Sequence, residues 1–255
     1  MTEADVGYAY AAAFASWAAS LVLFFSSRLL SPLLFKQYAS LDYRGRRDWD
    51  GRYHSTVHAV VITILGAACV IEFSQQEVNV MHWTTRASNV GLGISLGYFI
   101  ADVFLILKYK IGDRVMIIHH VACSVCLVAG ILVEGCHFYA LFALLAECTT
   151  PSINLRWLLD AAKMRGAKIY FYNGLALLAS WFFVRVVFFP YLFIHIYQNR
   201  VILAKAHPWV MPLALGAGVI IYLLNLMWFQ KILRGALKLL YPPKKMKKTN
   251  QVKEE

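Results

Sequence analysis

Long apolar segments separated by short polar ones run through most of the chain. A membrane-spanning helix needs about 20 mostly apolar residues. Segments that meet or approach that length are 9–27, 57–73, 87–107, 115–133, 138–159, 169–189 and 209–229. The second is short, and the fifth is interrupted by Glu147, Pro151 and Asn154. The pattern predicts an all-α fold, a polytopic membrane helical bundle with seven transmembrane helices.

The positions of the basic residues predict how this bundle is oriented. Most of the 25 Lys and Arg residues lie in the first, third and fifth connections and in the tail after the last span. The other connections hold only Arg86, Arg200 and Lys205. Because basic connections stay in the cytosol, we expect a lumenal amino terminus and a cytosolic carboxyl terminus. Residues 1–44 then form a signal-anchor helix with a basic cytosolic loop, and 236–255 form a basic cytosolic tail.

Composition agrees with a lipid environment and argues against nucleic acid as a partner. Hydrophobic residues make up 60% of the chain and charged residues 15%, whereas soluble domains carry about 25% charge. The net charge of +11 comes from residues that flank apolar segments, where they orient helices and meet anionic headgroups. We therefore expect membrane lipids as partners and no nucleic acid.

Polar side chains inside the spans share one depth. An ionisable group inside a membrane costs about 2.5–3.5 kcal/mol on insertion scales, so each needs a partner or a task. At a rise of 1.5 Å per residue, five groups lie about 6–8 Å from the predicted cytosolic ends of their spans: Asp102, His119, His120, Asn154 and Asn225. His58 begins the second span at a similar level. Helices turn polar groups inward, so this layer predicts an internal site.

Two readings of the layer remain open. In the first, His119 or His120 is a general base or nucleophile assisted by Asp102, and Tyr98, one turn from Asp102, steadies that carboxylate. The adjacent histidines differ by about 100° around a helix, so they cannot both face one point. In the second, these groups are interhelical hydrogen bonds worth about 0.6 kcal/mol each.

Three further features of the spans bear on the site. His119 and Cys123 are four residues apart and Cys126 follows three later, but a zinc site usually needs four ligands, so we expect no metal.

Glu147, Thr150 and Asn154 form a polar strip on the fifth span. Arg185 lies near the lumenal end of the sixth span, where we expect its side chain to reach the interface.

An ordered set of motifs resembles the TLC-domain family over about residues 45–235. The matching pieces are Trp49 with Arg52, Ser55 and His58; Gly97-Tyr98 with Asp102; Ile118-His119-His120; Leu144-Leu145-Ala146-Glu147; Pro151 with Asn154-Leu155-Arg156-Trp157; Asn173-Gly174; Arg185; and Asn225 with Trp228. The resemblance implies a six-helix TLC bundle around a cavity, here preceded by one extra span.

The resemblance also implies a function in lipid homeostasis, in the endoplasmic reticulum or a related membrane. The cavity would be lined by polar residues of the layer: His58, Tyr98, Glu147, Thr150, Asn154 and Asn225. Ceramide synthases in the family join acyl-coenzyme A to a sphingoid amine, using paired histidines and paired aspartates. Here Glu147 and Thr150 stand where the aspartates align, which argues against ceramide synthesis itself.

Three functions are therefore carried forward from the sequence. The leading one is control of membrane lipid composition without a cofactor. An acyltransferase would use fatty acyl-coenzyme A as co-substrate, and a sphingoid base is one candidate acceptor. A receptor or chaperone for membrane cargo is the third.

Overall fold

The computed structural model describes residues 3–204 and 208–241. Within those ranges every regular element is helical. The α-helices are α1 (Glu3–Leu34), α2 (Lys36–Ser40), α3 (Tyr43–Ser74), α4 (Arg86–Tyr109), α5 (Arg114–Leu132), α6 (His137–Leu144), α7 (Thr150–Ala161), α8 (Lys168–Trp181), α9 (Phe188–Gln198), α10 (Arg200–Leu203) and α11 (Val210–Leu240). A 3₁₀ segment, Leu145–Thr149, joins α6 to α7, and a π-helical segment, Phe182–Val187, joins α8 to α9. The predicted all-α membrane bundle is confirmed.

Six of the described helical segments are long and apolar enough to cross a membrane, and residues 138–159 are not among them. That part of the chain is helical but divided into α6, the 3₁₀ segment and α7. Pro151 lies at the start of α7, and it has no N–H to continue the hydrogen-bond ladder of the preceding turn. The count of seven spans therefore stays a prediction.

The first helix packs closely along α4 through two glycines. A Cβ atom at Gly93 would lie 2.2 Å from the carbonyl oxygen of Ala9, and one at Gly97 would lie 2.1 Å from that of Ala13. Ser16 also donates a hydrogen bond to the Ile94 carbonyl at 2.7 Å. These glycines therefore allow the backbones of α1 and α4 to approach closely.

The second long helix begins earlier than the apolar segment that predicts it. Asp42 caps α3 by accepting a hydrogen bond from the Gly45 N–H at 2.7 Å, and the helix runs from Tyr43 rather than from residue 57. The basic stretch predicted as loop thus includes about the first four turns of α3, and it brings buried Asp50 and His54 into the bundle.

A buried carboxylate joins the first three helices. Asp50, on α3, accepts hydrogen bonds from Ser27 at 2.8 Å and from Tyr38 at 3.2 Å. Its other oxygen lies 2.9 Å from Arg47 and 3.6 Å from Arg28. Because a buried charge must be paired, this contact set fixes α1 and α2 against α3.

Candidate functional site

Three helices meet at a buried cluster of two histidines and one aspartate. His54 on α3 places Nε2 at 3.3 Å from Oδ1 of Asp102 on α4. His120 on α5 places Nδ1 at 3.1 Å from Oδ2 of the same carboxylate. All three side chains are buried. We call these residues the histidine–aspartate cluster. The two imidazoles place a ring nitrogen against each oxygen of Asp102, which limits the cost of burying this carboxylate.

Aromatic rings enclose this cluster on the α3 and α4 side. Tyr98 lies face to face with His58, with ring centroids 3.8 Å apart and planes 8° from parallel. His58 also lies within hydrogen-bond distance of Ser95, at 3.3 Å between Nε2 and Oγ. Phe99 lies 4.9 Å from the His120 ring. Packed rings on this side shield the carboxylate from water and lipid.

A second buried cluster surrounds Arg185. Its guanidinium donates hydrogen bonds to the Thr149 hydroxyl at 2.9 Å, to the Ala146 carbonyl at 2.8 Å and to Asn225 at 3.2 Å. Glu147 lies 3.5 Å from the same group. We call Glu147, Thr149, Arg185 and Asn225 the arginine–glutamate cluster.

The expectation that Arg185 reaches the interface is wrong. Its side chain is only 4% exposed, because partners on the 3₁₀ segment and on α11 take up its donors. Arg185 lies within the π-helical segment. A π turn adds one residue to a helical turn and is frequent at functional sites, and here it presents the arginine to the interior.

The polar strip on the fifth predicted span divides between two neighbourhoods. Thr150 donates to Glu147 at 2.8 Å and so joins the edge of the arginine–glutamate cluster. Asn154 instead turns to α3, where it donates to Ser55 at 2.8 Å and accepts from Arg52 at 3.0 Å. The predicted polar layer therefore consists of separate clusters.

An apolar chamber lies between α5, α6, the π-helical segment with α9, and α11. Its volume is about 140 Å³. Most of its wall is hydrophobic and includes Phe99, Leu127, Leu144, Phe189, Leu192, Leu215 and Ile221. His119, Glu147 and Arg185 bring polar atoms to the wall. Of the predicted site residues, His119 and Glu147 line the chamber. Asp102, His120 and Asn225 lie in the two buried clusters, His58, Tyr98 and Thr150 pack beside them, and Asn154 is bonded to α3 instead.

His119 faces away from its neighbour His120. Its ring lies edge-on to Trp228 on α11, with centroids 5.3 Å apart, and Nε2 lies 3.8 Å from the Cys123 thiol. Within the described part of the chain, its Nδ1 atom is buried and has no hydrogen-bond partner. The two imidazoles therefore contact different helices. His119 lies against α11 and His120 lies against α4, because adjacent residues of a helix point about 100° apart.

Cysteines contribute further to the chamber. Cys123, Cys126 and Cys136 line it, and burial raises the pKa of the Cys136 thiol, in the connection after α5, to about 11. That thiol stays neutral near pH 7 and behaves as a small apolar group. Across residues 3–204 and 208–241, no group of three or more His, Cys, Asp or Glu side chains is arranged to hold a metal ion.

Comparison with known families identifies the domain that holds these residues. Residues 48–234 match the model of the TLC domain. The chain belongs to the TLC-domain family. This confirms the resemblance inferred from the ordered motifs, and both buried clusters lie within the TLC domain, as does most of the chamber's wall.

Relatives with the same domain extend across distant organisms. TLC domain-containing protein 4 of Homo sapiens is 29% identical over 231 residues, covering 86% of each chain. TLC domain-containing protein 4 A of Dictyostelium discoideum is 26% identical over 214 residues, covering 82% of each. The yeast protein named topoisomerase I damage affected protein 4 is 28% identical over 173 residues, covering 64% of this chain and 61% of its own. No solved structure matches this TLC-domain protein.

The sequence pattern singles out neither His54 nor Thr149 as a site residue, and it places Arg185 outside the site. His54 lies in the arginine-rich stretch that reads as loop, although its spacing of four from His58 is a helical signal. The sequence pattern places Arg185 at the interface, because nothing in it shows that Thr149 and Asn225 lie opposite this residue.

Proposed function

We propose that this TLC-domain protein handles lipid and thereby affects the lipid composition of its membrane. The observation that carries the proposal is the apolar chamber, bordered by the paired Glu147 and Arg185 and by His119, whose Nδ1 atom has no partner among the described residues. We further propose that the membrane is the endoplasmic reticulum or a related one, with the amino terminus in the lumen. The distribution of basic residues supports that orientation.

The chamber suits part of a lipid with a neutral polar group. Its 140 Å³ is close to the roughly 150 Å³ of an engineered apolar cavity that takes up benzene. It therefore holds a short section of an acyl chain, and a longer chain extends out of it. His119 lines the chamber and its Nδ1 atom has no partner among the described residues, so we propose that this imidazole forms a hydrogen bond with a hydroxyl or carbonyl group on that lipid.

Mass spectrometry of lipid that co-purifies with the protein tests this proposal. Leu215→Trp fills the chamber from α11, whereas Leu223→Trp places the same ring at a position on α11 that is 58% exposed. We expect the native protein and Leu223→Trp to retain one lipid species, and Leu215→Trp to lose it. Equal retention by both variants, or no bound lipid in any of them, contradicts the proposal.

The histidine–aspartate cluster supports a second candidate, acyl-coenzyme A dependent acyl transfer. A carboxylate against Nδ1 of His120 leaves Nε2 to accept a proton, the arrangement that orients catalytic histidines. His120 would take the proton of an attacking amine or hydroxyl, the acceptor would bond to the thioester carbonyl carbon, and coenzyme A would leave as its thiol. His119, at the chamber wall, would contact the acyl chain.

Release of coenzyme A on turnover distinguishes acyl transfer from lipid handling without catalysis. Purified protein in lipid is supplied with long-chain acyl-coenzyme A and a panel of amine and hydroxyl acceptors, including a sphingoid base. Catalysis predicts release of coenzyme A that His120→Ala abolishes while the protein remains folded. If no acceptor supports turnover, the acyltransferase candidate fails and lipid handling without catalysis stands on the co-purification result.

A further inference from the structure

A second cavity lies outside the chamber and both buried clusters. It is a groove of about 220 Å³ between α7, α8 and α11. Its walls combine two basic side chains, Arg156 and Lys231, with apolar residues on α8 and α11, among them Phe171, Leu175, Ile232, Ala236 and Leu240. The elements around it end on the side that carries the basic connections, where lipid headgroups meet the bilayer.

Local packing holds Arg156 in position in this groove. Its guanidinium lies 4.2 Å above the Tyr170 ring, and Nη1 donates to the Tyr170 carbonyl at 3.4 Å. Gly174 makes room for it, because a Cβ atom there would lie 2.5 Å from Nη1. An ordered, half-buried guanidinium of this kind is a strong partner for phosphate oxygens.

The groove stays positively charged although two carboxylates, Asp160 and Asp113, lie near it. Asp160 is bonded by Arg165 through two guanidinium nitrogens, and that pair is neutral. Asp113 lies 3.9 Å from Lys231, but both side chains are more than half exposed, and such surface pairs contribute little. A bound phosphate would therefore meet Arg156 and Lys231 without displacing a strong ion pair.

We propose that this groove binds one anionic phospholipid of the surrounding leaflet, with the phosphate between Arg156 and Lys231. The acyl chains lie along Phe171 and Leu175, which are 39% and 38% exposed. Charge complementarity selects the headgroup, and the apolar wall selects a lipid over a free phosphate. The site is separate from the chamber, so it stands whether or not lipid handling is the function.

Native mass spectrometry of the detergent-solubilised protein with an equimolar mixture of phosphatidylserine and phosphatidylcholine tests the site. We expect the native protein to retain phosphatidylserine preferentially. Arg156→Gln/Lys231→Gln should reduce that preference about 25-fold, since each basic residue near a membrane surface contributes about a fivefold ratio. The control Lys36→Gln/Lys108→Gln removes the same charge elsewhere on the same predicted side and should keep the preference.

Two further measurements do not depend on the double variant folding. Gly174→Ala keeps both charges but displaces the Arg156 guanidinium, and it should also weaken the preference. Gly216→Ala, on α11 outside the groove, has a Cβ that meets nothing within 4 Å and should not. A photoreactive phosphatidylserine should label 171–175 and 232–240 in the native protein. Equal loss in the groove variant and the control, or labelling confined to other helices, overturns the proposal.

Discussion

At the scale of single residues, buried charges in this protein are paired by side chains from other helices. Asp50 meets two arginines and two hydroxyls, and Asp102 lies between two histidines. Removing one member of such a set leaves the others buried without compensation, which costs more than the pair contributes. The loss of unfolding free energy on substituting one of these carboxylates therefore measures the cost of breaking its contacts.

Asp50→Asn should lower the free energy of unfolding by about 3–5 kcal/mol, because Arg47 loses its buried counter-ion. Equilibrium unfolding in mixed detergent micelles measures this. Asp160→Asn is the matched control, since Asp160 pairs with exposed Arg165 at the surface and should cost no more than about 1 kcal/mol. Similar losses for the two variants would show that Asp50 does not hold the first helices together.

Arg185→Met should destabilise the protein by a similar ~3–5 kcal/mol, because Glu147 then stays buried with only Thr150 as a strong partner. Adding Glu147→Met should recover part of the loss, since two apolar groups replace the broken pair. The free energies of unfolding of both single variants and of the double variant complete a double-mutant cycle. If the second substitution adds a further loss, Glu147 and Arg185 act independently and the cluster is not a unit.

At the scale of elements, interruptions of regular helix bring the site residues together. The 3₁₀ segment presents Glu147 and Thr149, and the π-helical segment presents Arg185 to them. Close contact between α1 and α4 depends on glycines instead. The relative positions of the helices around the candidate site thus depend on local departures from ideal helix geometry, and not on apolar periodicity alone.

Gly97→Ala should force α1 away from α4, because the added Cβ would lie 2.1 Å from a backbone oxygen that cannot rotate aside. We expect a lower midpoint of thermal unfolding. Gly216→Ala on α11 is the matched control, since its Cβ meets nothing within 4 Å, and alanine favours helix by about 1 kcal/mol. An unchanged midpoint for Gly97→Ala would mean that α1 is not held against α4.

At the scale of the whole molecule, the number of crossings decides where the termini lie. Six spans place both termini on one side, and seven place them on opposite sides. The divided helical run from 137 to 161 is about 37 Å long at the α-helical rise, which exceeds the roughly 30 Å of a bilayer core. Its length thus favours a seventh crossing made of shorter pieces.

An epitope at either end of the chain should distinguish these topologies. In cells permeabilised only at the plasma membrane, we expect an antibody to reach the carboxyl-terminal epitope and not the amino-terminal one. Full permeabilisation should expose both and serves as the control. Access to both epitopes, or to neither, before full permeabilisation would show an even number of crossings.

The amino-acid sequence alone determined the all-helical membrane class, because lipid demands apolar segments that satisfy their own backbone hydrogen bonds. Its ordered motifs also identified the TLC family and selected Asp102, His120 and Glu147. Which partner each polar group meets was decided only by the tertiary structure: helical periodicity tells which residues share a face, but not which helix lies opposite. His54 opposite Asp102, and Asn225 opposite Arg185, follow from packing between distant segments.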